Sequence, residues 1–554
     1  MIKENFVKLY EKTLKENWSL PAFTNYEEGR TYSVADLSQR VAKVHLILKQ
    51  CDINKGDKVA LIGKDCAEWC IVWMGIVTYG AVVVPILPDF HPDDIHHIIN
   101  HSDSVLAFVG AEHQGFLSTS KLPNIRASFD IKSLSPVLAL TPTPGLQCVN
   151  GELLFSERYP NGFTREDIKF PEVSNEEVVL ISYTSGTSGF SKGVMTTANN
   201  LAANMVYAIT EEMESRGDNL LCFLPNAHAY SCAFNMLLPL LSGAHVYILG
   251  QKPTPSVLLK ALKDVRPRLI LSVPLVLEKI YKNVLAPKLK KTSVKLALRI
   301  PILSYFVRKK FREALIDALG GNLREIIIGG AALNSEVADF LHKIKFPVTV
   351  GYGMTECAPL VSYAQYRNYV AGSCGKVIKM IEQVRIADAQ EIEGQMVGEV
   401  QVKGENVCKG YYKNPEATRE LFTEDGWMRT GDLGYLEKDN VYLRGRSKAM
   451  ILGPNGQNIY PEEIEAKIAM LPYMNEALVV QREKNKNIAI VTIDRKALEK
   501  EGYKSDEAIR QVMKENRERL NQTLASFAQI SDFELLEGDF EKTPKQSIKR
   551  YLYK

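Results

Sequence analysis

Between Tyr183 and Val194 the chain reads YTSGTSGFSKGV. Glycine lets successive backbone N–H groups turn toward one point, and the hydroxyls and the ammonium add donors, so this loop suits a polyphosphate. It is not a Walker A loop. Lys192 is correctly spaced from Gly186, but Ser191 takes the place of the second glycine and Gly193 that of the hydroxyl residue. A strand-like run directly precedes it, which argues against a surface linker. A second such run, IIIGGAAL (326–333), ends in Gly-Gly-Ala-Ala. Side chains that small leave room for a flat ring to approach the backbone.

The elements that position these loops are short, β-branched and apolar. They include KVALIG (58–63), AVVVPI (81–86), SVLAFVG (104–110), VVLISYTS (178–185), HVYILG (245–250), RLILSVP (268–274), REIIIGG (324–330) and PVTVGYG (347–353), with helical stretches between them. That alternation implies βαβ units and largely parallel sheets, hence an α/β fold. From about 370 to 444 short alternating strands with glycine turns predict a small antiparallel, barrel-like subdomain. After GRSK (445–448) a distinct tail begins, which divides the chain into 1–444 and a small α+β domain, 445–554. The apolar stretch from Cys70 to Leu87 is interrupted by Gly75, Thr78, Gly80 and Pro85. It reads as a buried helix, a glycine turn and a buried strand rather than a membrane span.

Taken together, these segments resemble the adenylate-forming superfamily, which includes acyl-CoA synthetases, peptide-synthetase adenylation domains and firefly-type luciferases. The family's phosphate loop reads YTSGTTGxPKGV, and this chain differs at Ser188 and Ser191. LPNAHAY (224–230), GYGMTE (351–356), WMRTGDLG (427–434) and GRSKAMILGPNGQNIYPEEIE (445–465) continue the likeness in order. The last most resembles long-chain fatty acyl-CoA synthetases. The resemblance implies a nucleotide site of Thr184, Ser185, Gly186, Thr187, Ser188, Gly189 and Lys192 on the phosphates. Gly330, Ala331, Ala332, Gly351, Tyr352, Gly353 and Met354 would lie around adenine, with Tyr352 stacked on it. Thr355 would contact the α-phosphate, and Asp432 and Arg446 the ribose. It further implies Mg²⁺ held by Glu356 and Thr184, and His228 beside the acyl carboxylate. Lys448 would be a hinge about which the tail turns after adenylation.

One departure stands out. The family's C-terminal KTxxGKIxR is here KTPKQSIKR (542–550), so Ser547 occupies the place of the catalytic lysine. In an extended segment Lys545 and Lys549 share the side of Ser547. Lys545 is the expected substitute, ahead of Lys549.

The expected activity is therefore that of an ATP-dependent acid–thiol ligase. It would convert a fatty acid to acyl-AMP, with pyrophosphate leaving, and then to the coenzyme A thioester. Loading of an acyl carrier protein, luciferase-type oxidation, and an acyl-nucleotide binding protein without turnover are the alternatives. A net charge of +3 over 554 residues gives no case for nucleic-acid binding. Nine scattered cysteines without a CxxC pair read as reduced thiols of a cytoplasmic protein. The N-terminal MIKENFVKLYEKTLKEN lacks the apolar region of a signal peptide. Residues 282–312 carry ten Lys or Arg and no acid, with Leu296, Leu298, Ile300, Ile302, Leu303, Phe306 and Val307 between them. That stretch is either a solvated face over core or a peripheral contact with an anionic membrane.

Overall fold

The structure is a computed structural model that describes residues 2–184, 192–330, 333–452, 458–482, 486–543 and 547–553. Buried β-branched runs pair into two sheets. The first has the order Ala127–Asp130, Ser104–Val109, Lys58–Ile62, Val82–Ile86, Val178–Thr184, Lys192–Thr197. Its neighbours are parallel except the last two strands, an antiparallel hairpin that frames the glycine-rich loop. The second runs Val348–Val350, Glu325–Ile328, Leu269–Ser272, Asn219–Cys222, His245–Ile248, Pro21–Asn25, Arg30–Ser33, again parallel but for its final pair. Helix crossovers between successive strands explain the parallel pairing.

The stretch from Cys70 onward forms the helix Ala67–Tyr79, apolar on every side, and the strand Val82–Ile86. Between them Gly80 adopts φ 95°, a left-handed conformation that closes the helix without a Cβ clash. Among the described residues no helix is long and apolar enough to cross a membrane. All nine cysteines are free thiols, and only Cys148 is exposed.

A third, antiparallel sheet begins at Tyr352–Gly353 on one edge and ends at Glu382–Ile392 on the other. The tail packs the helices Pro461–Ala469 and Asp506–Asn521 on a three-stranded sheet of Met474–Arg482, Lys486–Ile493 and Asp532–Leu535. Side chains reach it from the larger part of the chain, among them Arg444, whose Nη1 lies 3.5 Å from Glu463 Oε1. Asn334 Nδ2 donates to the Ala466 carbonyl at 2.9 Å, and Lys282 Nζ to those of Ala469, at 2.9 Å, and Met474. Burial pulls the Lys282 ammonium pKa down. Lys282 thus leaves the basic face that the sequence assigns to 282–312.

Candidate functional site

The glycine-rich hairpin is fixed at its base. Tyr183 is buried, and its hydroxyl bonds His101 Nδ1 at 2.7 Å. A Cβ on Gly193 would lie 2.9 Å from Ile181 and 3.1 Å from the Tyr183 ring, so close packing requires glycine there. Thr184 pairs with Lys192 across the hairpin, its Oγ1 3.5 Å from the Lys192 carbonyl. Ser185, Gly186, Thr187, Ser188 and Gly189 lie outside the described residues, as do Ala331, Ala332 and Lys545.

The hairpin's outer strand is stitched to residues 409–412. Met195 N donates to Gly410 O at 2.9 Å, Lys409 N to Met195 O at 3.0 Å and Tyr412 N to Gly193 O at 2.8 Å. This segment carries Tyr411, whose hydroxyl donates to Glu356 Oε1 at 2.9 Å. Lys192 Nζ stands 5.0 Å from the centre of the Tyr411 ring. Burial, then the Glu356 charge, raises the Tyr411 pKa, so the phenol remains a donor. Tyr411 therefore touches both Glu356, through its hydroxyl, and Lys192, over its ring.

Glu356 and Thr355 project from a tight turn. A 3-10 turn spans Thr355–Cys357, and Met354 N closes it on Pro359 O at 2.8 Å. A Cβ on Gly353 would fall 2.2 Å from that same oxygen, so only glycine allows the closure. Asn204 clamps the far side: Nδ2 donates to Cys357 O at 3.0 Å, and Oδ1 accepts from Leu360 N at 3.2 Å. Asn200, one turn earlier, donates to the carbonyls of Glu405 and Val407 at 2.8 Å each. Both belong to the helix Ala198–Thr210, capped by Thr197 directly after the hairpin. Asn200, Asn204 and Tyr411 escaped the sequence reading. The signal for the two asparagines is a set of buried amides, Asn199, Asn200 and Asn204, on a largely apolar helix, since buried amides need partners.

The ribose candidates also meet. Tyr352 O–H donates to Asp432 Oδ2 at 2.7 Å, and Arg446 Nε lies 3.2 Å from Oδ1. Asp432 is only 6 % exposed. Burial raises its pKa in spite of Arg446 and Tyr352, while Asp432 raises that of Arg446. A carboxylate offers about four lone-pair sites, so two contacts leave room for ribose hydroxyls. Tyr352 is itself 7 % exposed, and its hydroxyl orients it toward Asp432.

Gly351 N donates to Ile328 O at 2.8 Å, joining the Tyr352 strand to the run that ends at Gly330, whose φ is 85°. Tyr230 O–H donates to Ile327 O at 3.0 Å, and its ring lies under Gly329. Two residues before Tyr230, half-buried His228 caps the turn Ala229–Ser231. Its loop is pinned where Asn226 N donates to Asp65 Oδ1 at 3.0 Å. Burial pushes the Asp65 carboxyl up to about 7. Phe234, Met236, Leu237 and Leu238, the apolar neighbours of His228, are packed in the main core.

Lys448 is exposed in the short turn Ser447–Ala449 that follows Arg446. At the far C-terminus the chain reverses: Lys542 bridges Ile548 antiparallel, and Thr543 N donates to Ser547 O at 2.8 Å. The segment is thus a hairpin rather than one extended run, and two-residue alternation does not carry across it. Lys549 Nζ sits 3.5 Å from Glu541 and Lys542 Nζ 2.8 Å from Glu476. Both cations are engaged within the tail.

Among the described residues no group of three or more His, Cys, Asp or Glu could hold a metal ion. The donors present, the Glu356 carboxylate and the Thr184 hydroxyl, are hard oxygens too few to cage a cation. They fit Mg²⁺ that takes its remaining ligands from phosphate and water.

The family described as "AMP-binding enzyme" matches residues 10–412, and its "AMP-binding enzyme C-terminal domain" matches 448–553. The long-chain-fatty-acid–CoA ligase FadD15 of Mycobacterium bovis is 27% identical over 497 residues, covering 84% of this chain and 78% of that protein. The anthranilate CoA ligase AuaEII, solved with anthranoyl-AMP, superposes with a TM-score of 0.77 at 18% identity, covering 99% of this chain and 96% of the other. The O-succinylbenzoate coenzyme A synthetase of Bacillus subtilis, solved with ATP and magnesium ion, gives 0.70 at 20% identity, covering 99% and 98%. Its sequence match over most of its length makes this chain a member of the AMP-binding enzyme family.

Proposed function

We propose that this AMP-binding enzyme joins a fatty acid to coenzyme A through an acyl-adenylate. The observation that carries the reading is the contact of Tyr352 with Asp432. It joins the short strand that leads into the Thr355–Glu356 turn to the strand bearing the proposed ribose carboxylate, so that one nucleotide could span both. The acid's carboxylate oxygen attacks the α-phosphorus, the bond to the bridging oxygen breaks, and pyrophosphate leaves. Lys192 and the loop before it offset charge on the leaving group, while Thr355, His228 and Lys545 steady the α-phosphoryl. Asp432 accepts from the ribose hydroxyls. Glu356 and Thr184 would hold Mg²⁺, which supplies positive charge to the phosphates. The tail, residues 445–554, then turns about Lys448, and the thiolate of coenzyme A attacks the acyl carbon as AMP leaves.

The fatty acid is supported by likeness to FadD15 and by the NGQNIYPEEIE segment. The other two relatives act on aromatic acids by their names. Ser547 favours a second reading, an acyl-nucleotide binding protein without turnover. One assay separates these: pyrophosphate and AMP release with a panel of fatty and aromatic acids, with and without coenzyme A. AMP release that requires coenzyme A and rises with acyl length is the expected result. Nucleotide binding with no release from any acid selects the second reading.

A further inference from the structure

The basic segment folds into a corner. The helix Thr292–Arg299 ends at Ile300, which is also the N-cap of the helix Pro301–Ala318. Large apolar side chains at this corner stand in solvent: Leu296 is 60 %, Ile302 73 %, Tyr305 65 % and Phe306 60 % exposed. The second helix turns Ser304 and Leu315 inward and sets Phe311 against Phe340 at 6.0 Å. Its outward stripe therefore meets no other part of the described chain. Around it lie Lys295, Arg299, Arg308, Lys309 and Lys310, all exposed. Among the described residues only Lys309 of these five makes an ion pair, with Glu313 at 3.8 Å.

An exposed apolar patch of this kind marks an interaction surface. Its chemistry selects the partner. An apolar centre with a cationic rim matches a bilayer whose headgroups are anionic: aliphatic and aromatic side chains enter the acyl boundary while ammonium and guanidinium groups stay at phosphate level. A second copy of the chain would bring like charges face to face, which opposes association. We propose that this corner docks the protein on the surface of an anionic lipid bilayer, lying on it rather than crossing it. The proposal rests on the fatty-acid reading only for its purpose, because such acids partition into the same bilayer.

The test is co-sedimentation of the full chain with phosphatidylcholine vesicles, with and without phosphatidylglycerol. Binding is expected with phosphatidylglycerol and should weaken with salt. The triple variant R308Q/K309Q/K310Q should lower partitioning by on the order of a hundredfold, about fivefold for each charge removed. The double variant I302D/F306D should abolish binding, while turnover of a short, water-soluble acid stays unchanged and reports an intact fold. Wild-type protein that stays in the supernatant overturns the proposal, and so does binding that neither variant alters. A lipid-free dimer by light scattering that I302D/F306D converts to monomer also overturns it and assigns the face to a second copy. Vesicle binding without turnover of any fatty acid would retain the dock and remove the fatty-acid reading.

Discussion

The turn at 351–356, proposed to face the nucleotide, and the C-terminal hairpin at 542–548 are built in opposite ways. The turn is buried and clamped: Tyr352 on Asp432, Tyr411 on Glu356 and Asn204 on two backbone groups. The hairpin is peripheral; Ser547 is exposed, and Lys542 and Lys549 face acids of the tail. The difference teaches where preorganisation is needed. Groups that would grip adenine, ribose and metal would serve every step of the proposed reaction, so rigidity there has no drawback. A cation wanted for one half-reaction gains from an element that can come and go.

The sharpest way to break this contrast is to remove the proposed catalytic cation. Lys545→Ala should slow pyrophosphate release by about two to three orders of magnitude, as loss of one charge-stabilising donor does. Lys549→Ala should do little, since that side chain already faces Glu541. Near-normal kinetics in both variants would sink the assignment. Next in size, Asp432→Ala removes the ribose acceptor and strands the buried Tyr352 hydroxyl. We expect a loss of ~2–3 kcal/mol in kcat/KM for ATP; an unchanged value would detach the ribose from this carboxylate.

Gly353→Ala probes rigidity itself. Its Cβ would meet the Pro359 oxygen at 2.2 Å, and ~1–3 kcal/mol of stability should be lost in a urea titration. Tyr411→Phe should be mildest. One hydrogen bond to Glu356 disappears, at a cost of ~1 kcal/mol, about fivefold in the KM for ATP.

The pH dependence of Asp432 has two signs. Burial raises its pKa above the ordinary aspartate range, so the folded chain holds that proton to a higher pH than the unfolded chain. The group's contribution to stability therefore falls as pH rises through that window. Ribose binding uses the ionised form and should strengthen over the same window. ATP titrations and urea midpoints across it should move oppositely in the wild type and flatten in Asp432→Asn.

Much of this was legible in the residues. All eight β-branched runs became strands, because burial on both faces leaves β-branched residues little other choice. Gly193 is read from the motif only as a departure from Walker A, and Gly353 only as a residue near adenine. Their close contacts with Tyr183 and Pro359 show a packing duty that no linear pattern displays. Tyr411, Asn200 and Asn204 stayed hidden because their partners lie far away in sequence. The alternation of the C-terminal lysines holds only for an extended segment, but Thr543 N donates to Ser547 O and Ser547 N to Thr543 Oγ1, so the chain reverses there. Position along a motif was therefore no guide to which lysine is available.

Lys282 has a consequence for the cycle. Its ammonium sits at the carboxyl end of the helix Pro461–Ala469, where the peptide dipoles leave partial negative charge. It found carbonyls there instead of a carboxylate. A carboxylate would weld the two parts of the chain together; carbonyl oxygens hold a dehydrated cation only loosely, since water offers nearly equal solvation. Any separation of the tail from the larger part would have to rehydrate this amine, release Asn334 and part Arg444 from the half-exposed Glu463.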